Sequence, residues 1–245
     1  MDAVSIGSPH NGTPDIDTPA IDMPAVDTAR VSAAVLELLR AIGEDPSREG
    51  LVGTPGRVAE AYAEFFGGVG VDAVSRLGAL IGAGQASGSL VIMGGIEFRS
   101  MCEHHLLPFF GTATIAYVAG DKIVGLGRLP LLVDTIASRP QIQERLTYEI
   151  AEALERALDP AGVLVHVEAQ HQCVSARGSR QTGTTTVTMS ARGSLSESAA
   201  RAEVVALIGA SEPSSIQPST GEPSTGEPSA GQLGTKEHST TQKPS

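Results

Sequence analysis

Two short clusters of thiol and imidazole side chains are the part of this sequence best suited to chemistry. The first is Cys102-Glu103-His104-His105 and the second is His171-Gln172-Cys173. The chain has two cysteines in all, and each lies two residues from a histidine. Thiolate and neutral imidazole are the usual protein ligands of zinc, and a site with three such ligands keeps a fourth position for water. The pattern therefore indicates a catalytic metal site rather than a structural one.

The spacing within each cluster indicates which side chains bind the metal. Cys102 and His105 are three positions apart, so a tight turn or a single helical turn brings both to one side. His104 then points elsewhere and is available for proton transfer. Cys173 supplies the third ligand, and His171 projects to the same side from an extended segment. We expect Cys102, His105 and Cys173 to bind Zn²⁺. The other two histidines would act as acid–base groups, because histidine exchanges protons near neutral pH.

A disulfide between the two cysteines is the alternative. The first thirty residues lack the basic and apolar regions of a secretory signal, which favours a cytoplasmic location where thiols stay reduced. No stretch approaches the roughly 18 apolar residues of a membrane span, so we expect no membrane partner. The net charge is −11 and there is no Lys/Arg run, which argues against a nucleic-acid partner, so we expect none. Metal ligation is therefore favoured over a disulfide.

The predicted elements form an α+β core that delivers both clusters at strand ends. Alternating or β-branched runs predict strands at 89–98 (with a glycine bulge), 112–118, 163–169 and 184–190. Helical spacing predicts helices at 28–42, 56–66, 130–138, 142–158 and 195–208, and a short one within 71–82. Thr28 and Thr54 are the predicted N-caps of the first two helices. The core order is two strands, two helices, two strands, with an antiparallel sheet covered on one face by helices.

We expect one folded domain, residues 28–210, between two disordered ends. It comprises a helical section (28–88), the core (89–194) and a C-terminal helix (195–210). Residues 1–27 alternate Pro, Asp, Thr and small residues, and residues 211–245 form a low-complexity tail rich in Ser, Pro, Thr and Gly. Neither end holds enough apolar side chains to fold alone.

The two clusters belong to a longer series of motifs that resembles the GTP cyclohydrolase I family. The similarity runs from about residue 31 to residue 208, and its motifs are residues 44–51, 54–57, 102–105, 139–147 and 171–178. The resemblance implies a tunnelling fold, in which ββααββ units assemble side by side into a ring. It also implies a homo-oligomer, commonly a decamer of two stacked pentamers.

The resemblance implies GTP and water as substrates. Water adds at C8 of guanine, formate leaves, and the ring re-closes to give 7,8-dihydroneopterin triphosphate, the first step of tetrahydrofolate and pterin biosynthesis. The family's zinc ligands match Cys102, His105 and Cys173, and its proton-transfer histidines match His104 and His171. Two alternatives stay open: a diverged paralogue that acts on a related purine nucleotide, and a non-catalytic ring-forming subunit with structural zinc.

The resemblance places the guanine contact at the start of the long helix. The family's guanine-binding glutamate matches Glu144, next to Gln143, and we assign both to substrate binding. One carboxylate can accept two hydrogen bonds from the N1–H and N2–H₂ edge of guanine. From the residues alone, the alternative is that Glu144 lies on the helix surface and pairs with Arg145 or with another nearby Lys or Arg.

The triphosphate site is where the sequence departs from the family pattern. The family's Gly-Leu-Ser-Lys-x-x-Arg motif corresponds to residues 125–131, which read Gly-Leu-Gly-Arg-Leu-Pro-Leu. Arg128 keeps the charge of the lysine, whereas Gly127 lacks the hydroxyl and Leu131 lacks the cation. Arg57 and Arg177 match the family's other phosphate-binding arginines. We therefore expect weaker GTP binding than is usual in the family, or a shifted substrate preference.

Overall fold

A computed structural model describes residues 26–211 of the chain. Apart from residues 26, 27 and 211, the two predicted disordered ends lie outside this range. The α-helices are α1 Thr28–Ala41, α2 Thr54–Phe65, α3 Arg128–Ala137, α4 Gln143–Leu158, α5 Gln172–Ser175 and α6 Ser198–Ser211. The strands are β1 Ile81–Gly82, β2 Leu90–Cys102, β3 Pro108–Val118, β4 Lys122–Ile123, β5 Pro140–Gln141, β6 Gly162–His171 and β7 Thr186–Gly193. Short 3₁₀ helices occupy Ala73–Leu77, Gly84–Ala86 and Ser194–Ser196.

The main sheet of the described residues has the strand order β5-β2-β3-β6-β7. The four long strands pair antiparallel, while β5 pairs parallel with the end of β2. Helix α3 contacts β2, and α4 contacts β6 and β7. The predicted ββααββ order is confirmed. The parallel strand β5 was not predicted; it forms where the chain passes from α3 to α4.

The main core lies between the sheet and the two central helices. In α4 the side chains of Leu146, Ile150 and Leu154 recur every four residues and are fully buried, which is the apolar stripe of an amphipathic helix. The other face of the sheet is covered by α6, which packs over the cross-strand pair Ala116 and Leu164. Helices therefore lie on both faces of the sheet. Helices α3 and α4 lie on one face, and α6 lies on the other. Among residues 26–211, every helix falls short of the length and apolarity needed to cross a membrane.

Both predicted N-caps are wrong by one residue. The cap of α1 is Asp27, whose carboxylate accepts a hydrogen bond from the backbone N–H of Arg30 at 2.9 Å. The cap of α2 is Gly53, and Thr54 is the first helical residue. In both cases the chain enters the helix one residue before the threonine that the sequence favoured.

The strands are longer than predicted where they approach the first Cys-His cluster. Strand β2 continues to Cys102 because Met101 still pairs with Pro108 of β3. The predicted glycine bulge is confirmed, since the β2–β3 register shifts between Met93 and Ile96. The predicted short helix within 71–82 is a 3₁₀ helix followed by the short strand β1.

Gly111 marks a close approach between β3 and β6. A Cβ atom here would overlap the carbonyl oxygen of Glu168 and lie 2.7 Å from the Cα of Ala169. Backbone atoms cannot move aside as a flexible side chain can, so Gly111→Ala should destabilise the fold by about 1–3 kcal/mol. At about 2–4 °C per kcal/mol, thermal denaturation should show a fall of several degrees. Gly82→Ala is the matched control, because its added Cβ meets nothing within 4 Å. Equal melting temperatures for the two variants would contradict this packing.

Candidate metal centre

The two Cys-His clusters lie at one edge of the sheet. Strand β2 ends at Cys102 and strand β6 ends at His171. Both run antiparallel to β3, which lies between them, so both end at the same edge. Strand β5 pairs there too, with Gln141 opposite Cys102, and it leads directly into α4. This edge therefore collects both clusters and the first turn of α4.

A tight turn returns His105 to Cys102. The backbone N–H groups of His105 and Leu106 donate to the carbonyl oxygen of Cys102 at 3.3 and 2.8 Å. Leu106 has a φ of 48°, in the left-handed region that such a reversal requires. As a result, Nδ1 of His105 lies 3.9 Å from Sγ of Cys102. The local spacing thus places both side chains on one side.

Cys173 completes a set of three potential metal ligands. It lies in α5, the single helical turn that follows β6. The ligand atoms of Cys102, His105 and Cys173 all lie within 4.8 Å of one another. Tetrahedral zinc with bonds of about 2.0–2.3 Å holds its ligand atoms about 3.5–3.8 Å apart, so a contraction of about 1 Å would suffice. Two thiols and an imidazole at this separation fit a metal ion.

The protonation of the second thiol depends on whether a cation is present. Both cysteines are free thiols. Burial raises the pKa of Cys173, the nearby Cys102 raises it further, and the positive charge of Arg177 acts in the opposite direction. A divalent cation would reverse this balance, because a coordinating thiol is deprotonated outright.

His171 is held on two sides. Its ring stacks on that of Phe109, with the centroids 4.7 Å apart and the planes 6° from parallel. Its Nε2 lies 2.8 Å from Oε1 of Gln143. Burial lowers the pKa of His171, and the charge of Glu144 partly opposes this. Sequence reasoning missed both ring neighbours, since they come from β3 and α4 and only the register and helix docking bring them together.

His104 lies in a more open environment. Its side chain is 65% exposed, and its Nε2 lies 3.9 Å from Oε1 of Glu103. Its ring centroid is 6.2 Å from that of His105, and it is not one of the three clustered ligand residues. The ring is therefore largely open to solvent beside the three potential ligands.

The two residues predicted to bind guanine differ in exposure. Glu144 is exposed in the first turn of α4, close enough to His171 for its charge to act on that ring. Gln143 is only 1% exposed, and its amide is bonded within the chain. The alternative pairing of Glu144 with Arg145 is absent among residues 26–211, since Arg145 contacts Glu103 and Glu149 instead.

Arg145 of α4 bonds to the turn that carries Cys102 and His105. The sequence did not predict this contact. Its guanidinium bonds the carboxylate of Glu103 and donates to the carbonyl oxygen of Pro140 at 3.0 Å and to Oε1 of Gln141 at 2.9 Å. The hydrogen bond from Arg145 holds the pKa of Glu103 below its usual range. The turn that carries two of the three potential ligands is thereby tied to the helix that carries Glu144.

The three arginines predicted to bind phosphate lie on different segments: Arg57 in α2, Arg128 in α3 and Arg177 just after α5. Arg177 is exposed and lies near enough to Cys173 to affect its thiol. Arg57 donates to Oγ1 of Thr54 at 3.0 Å within α2, and Arg128 is the first residue of α3. Within residues 26–211, no hydrogen bond or ion pair joins Arg57 or Arg128 to the three potential ligands.

Comparison with known proteins gives a consistent result over most of the chain. A sequence model described as GTP cyclohydrolase I matches residues 31–209. A protein named GTP cyclohydrolase 1 from Leifsonia xyli subsp. xyli is 56% identical over 181 residues, which cover 74% of this chain and 95% of that protein. The Bacillus subtilis protein of the same name is 48% identical over 178 residues, covering 72% and 93%.

A third relative and a solved structure complete the comparison. The Streptococcus pyogenes serotype M49 protein named GTP cyclohydrolase 1 is 48% identical over 181 residues, covering 73% of this chain and 92% of that protein. The crystal structure of the archaeosine synthase QueF-Like in the apo form aligns with 43% of this chain and 94% of its own, at 18% identity and a TM-score of 0.37.

Proposed function

Because the chain belongs to the GTP cyclohydrolase I family, we propose that it converts GTP and water to 7,8-dihydroneopterin triphosphate and formate. Its ββααββ core is the tunnelling fold of that family. The observation that supports the activity most directly is the approach of Cys102, His105 and Cys173 to within 4.8 Å of one another. The product would enter tetrahydrofolate and pterin biosynthesis.

We assign Zn²⁺ to the three clustered side chains. Two thiolates and an imidazole suit zinc better than magnesium or calcium, which prefer oxygen ligands. When bound, the ion would lower the pKa of a coordinated water to about 7 and so make hydroxide available at neutral pH. The rest of the chemistry falls to the side chains around it.

The neighbouring side chains supply proton transfer and orientation. His104 is exposed beside the ligand turn, and His171 is held by Phe109 and Gln143, so the two imidazoles could act on different atoms of the substrate. Glu144 is assigned to the N1–H and N2–H₂ edge of guanine, because its two carboxylate oxygens can accept both hydrogen bonds. Its exposed place in the first turn of α4 supports this role.

We also propose a homo-oligomer, as the family resemblance implies, in the form of a pentamer-based decamer. Exposed apolar side chains support association, among them Leu38, Ile42, Val52 and Val187. The outer edge of β7 has no strand partner within residues 26–211. Analytical ultracentrifugation tests the assembly, and a monomer would contradict it.

The activity is tested by incubating purified, zinc-loaded protein with GTP and, separately, with GDP. We expect formate from GTP and, after the product is oxidised with added iodine, an equal amount of fluorescent pterin. Protein stripped of metal by a chelator should give neither. Product from GDP alone would favour the diverged paralogue. Absence of product from both nucleotides would overturn the proposed activity in favour of the non-catalytic subunit.

Leu131 stands where the family's phosphate motif has an arginine, so restoring the arginine should strengthen the binding of GTP. Leu131 follows Arg128 by three positions in α3, so the two side chains share a face of the helix. Leu131 is 45% exposed, so an arginine here would stay solvated. A charged hydrogen bond contributes about 1.5–3 kcal/mol, so Leu131→Arg should lower the KM for GTP by about tenfold or more.

The control for this variant is Val205→Arg, which adds the same charge to an exposed position of α6. Steady-state kinetics with GTP should show the native KM for the control and a lower KM for Leu131→Arg. Equal KM values for the two variants and the native protein would argue against the assignment of residues 125–131 to phosphate binding.

A further inference from the structure

Gln143 has a buried amide whose orientation is fixed by the chain itself. The side chain is 1% exposed. Its Nε2 donates to the carbonyl oxygen of Val167 at 3.1 Å and to that of Thr186 at 2.9 Å. Backbone carbonyl oxygens can only accept hydrogen bonds, and an amide nitrogen has two hydrogens to donate. Both hydrogens are therefore used, and the amide oxygen must be the atom that faces His171.

This orientation determines which nitrogen of His171 carries the proton. Oε1 of Gln143 lies 2.8 Å from Nε2 of His171, and an amide oxygen can only accept. Nε2 of His171 must therefore be the donor. In a neutral imidazole the other nitrogen, Nδ1, then carries a lone pair. Within residues 26–211, Nδ1 of His171 has no hydrogen-bond partner.

A second contact, separate from the hydrogen bond to Gln143, fixes the plane of the His171 ring. Phe109 is fully buried in β3 and lies opposite His171 in the β3–β6 register. The two rings stack 4.7 Å apart at 6°. With Phe109 against its face and Gln143 at its Nε2 edge, the imidazole has little freedom to flip, so Nδ1 keeps one direction.

We propose that Gln143 is a positioning residue that holds His171 as the Nε2–H tautomer and leaves Nδ1 as its proton acceptor. This role rests on the proposed function, in which His171 moves protons during ring opening. It differs from the direct substrate contact that the sequence suggested for the Gln143 side chain. Binding guanine with that amide would break its hydrogen bonds to β6 and β7.

A purely structural role is the competing explanation, and the chain offers a matched control for it. Gln141 is also 1% exposed and lies two residues before Gln143. Its Nε2 donates to the carbonyl oxygen of Ile136 at 3.2 Å and to Glu149 at 3.0 Å, and its oxygen accepts from Arg145 at 2.9 Å. Gln141 has the same kind of buried network but makes no hydrogen bond to His171.

The direct test is the tautomer of His171 in zinc-loaded protein with isotope-labelled histidine. The ¹⁵N and ¹³Cδ2 shifts of the ring distinguish the two neutral tautomers, and a His171→Asn sample identifies the signal. We expect Nε2–H in the native protein and in Gln141→Met. In Gln143→Met, which removes the acceptor, the Nδ1–H form should become populated. Nδ1–H in the native protein would overturn the proposal, even if Gln143→Met failed to fold. An unchanged tautomer in Gln143→Met would overturn it too.

Kinetics with GTP separate positioning from binding. A positioned acid–base group contributes about 10²–10⁴-fold, so loss of the tautomer in Gln143→Met should lower kcat about 10- to 100-fold. The KM should stay within about threefold, because the substrate contacts are retained. A raised KM with an unchanged kcat would assign Gln143 to substrate binding instead. The tautomer measurement does not require turnover, so a native protein with the expected tautomer and no activity would refute only the proposed function.

Discussion

Cys173→Ala should leave the protein without its metal ion and without measurable turnover. The thiol belongs to the set of three ligand atoms within 4.8 Å, and two ligands cannot form the three-ligand site of a catalytic zinc. We expect metal analysis of the purified variant to find almost no zinc. Turnover of GTP should fall at least about 10³-fold, equivalent to about 4 kcal/mol of barrier.

Val174→Ala provides the control for this variant. Val174 lies in the same single turn, α5, and its side chain is partly exposed, so truncation tests any general disturbance of that turn. The control should keep both zinc and activity. Zinc retained by Cys173→Ala at the native level would show that Cys173 is not a ligand.

The same variant distinguishes a catalytic site from a structural one. Of the three clustered side chains, Cys102 is a buried member of the main core and Cys173 packs against it, but neither supplies much of its volume. That core is filled by large buried side chains such as Leu146, Ile150 and Leu154 of α4. Loss of the ion should therefore leave the far-ultraviolet circular dichroism of the fold unchanged. Unfolding on loss of zinc would favour the non-catalytic subunit with structural zinc.

The order of the elements could be predicted because each depends on its own local pattern. The stripe of α4 and the β-branched run of β6 each identify their element without knowledge of neighbours. Strand ends could not be placed as well, because they depend on pairing. Residues 99–102 extend β2 only because β3 begins at Pro108 and lies beside them.

The same distinction between local and distant contacts applies to the site. Cys102 and His105 are joined by one turn, so their spacing alone indicated a shared ligand position. The hydrogen bond between Gln143 and His171 joins residues 28 apart, and that between Arg145 and Glu103 joins residues 42 apart. Both depend on how α4 docks at the edge of the sheet, which no local pattern encodes.

His104→Ala should remove nearly all turnover, leaving a small residual rate, while zinc stays bound. The His104 side chain is 65% exposed and does not belong to the three clustered ligands, so its removal leaves the metal-binding set complete. A group that transfers protons in the transition state contributes about 10²–10⁴-fold, and we expect kcat with GTP to fall by that factor. Metal analysis and steady-state kinetics on the same preparation give both quantities.

Substitution of the adjacent histidine, His105, should have the opposite effect on the zinc content. His105→Ala removes the ring whose Nδ1 lies 3.9 Å from Sγ of Cys102, so it should lose zinc and activity together. Two neighbouring histidines of the same turn would then differ in metal content but not in their loss of turnover. Retained activity in His104→Ala would refute its role in proton transfer, and lost zinc would make it a ligand. Only the combination of bound zinc and lost turnover fits a turn in which one imidazole binds the metal and the next moves protons.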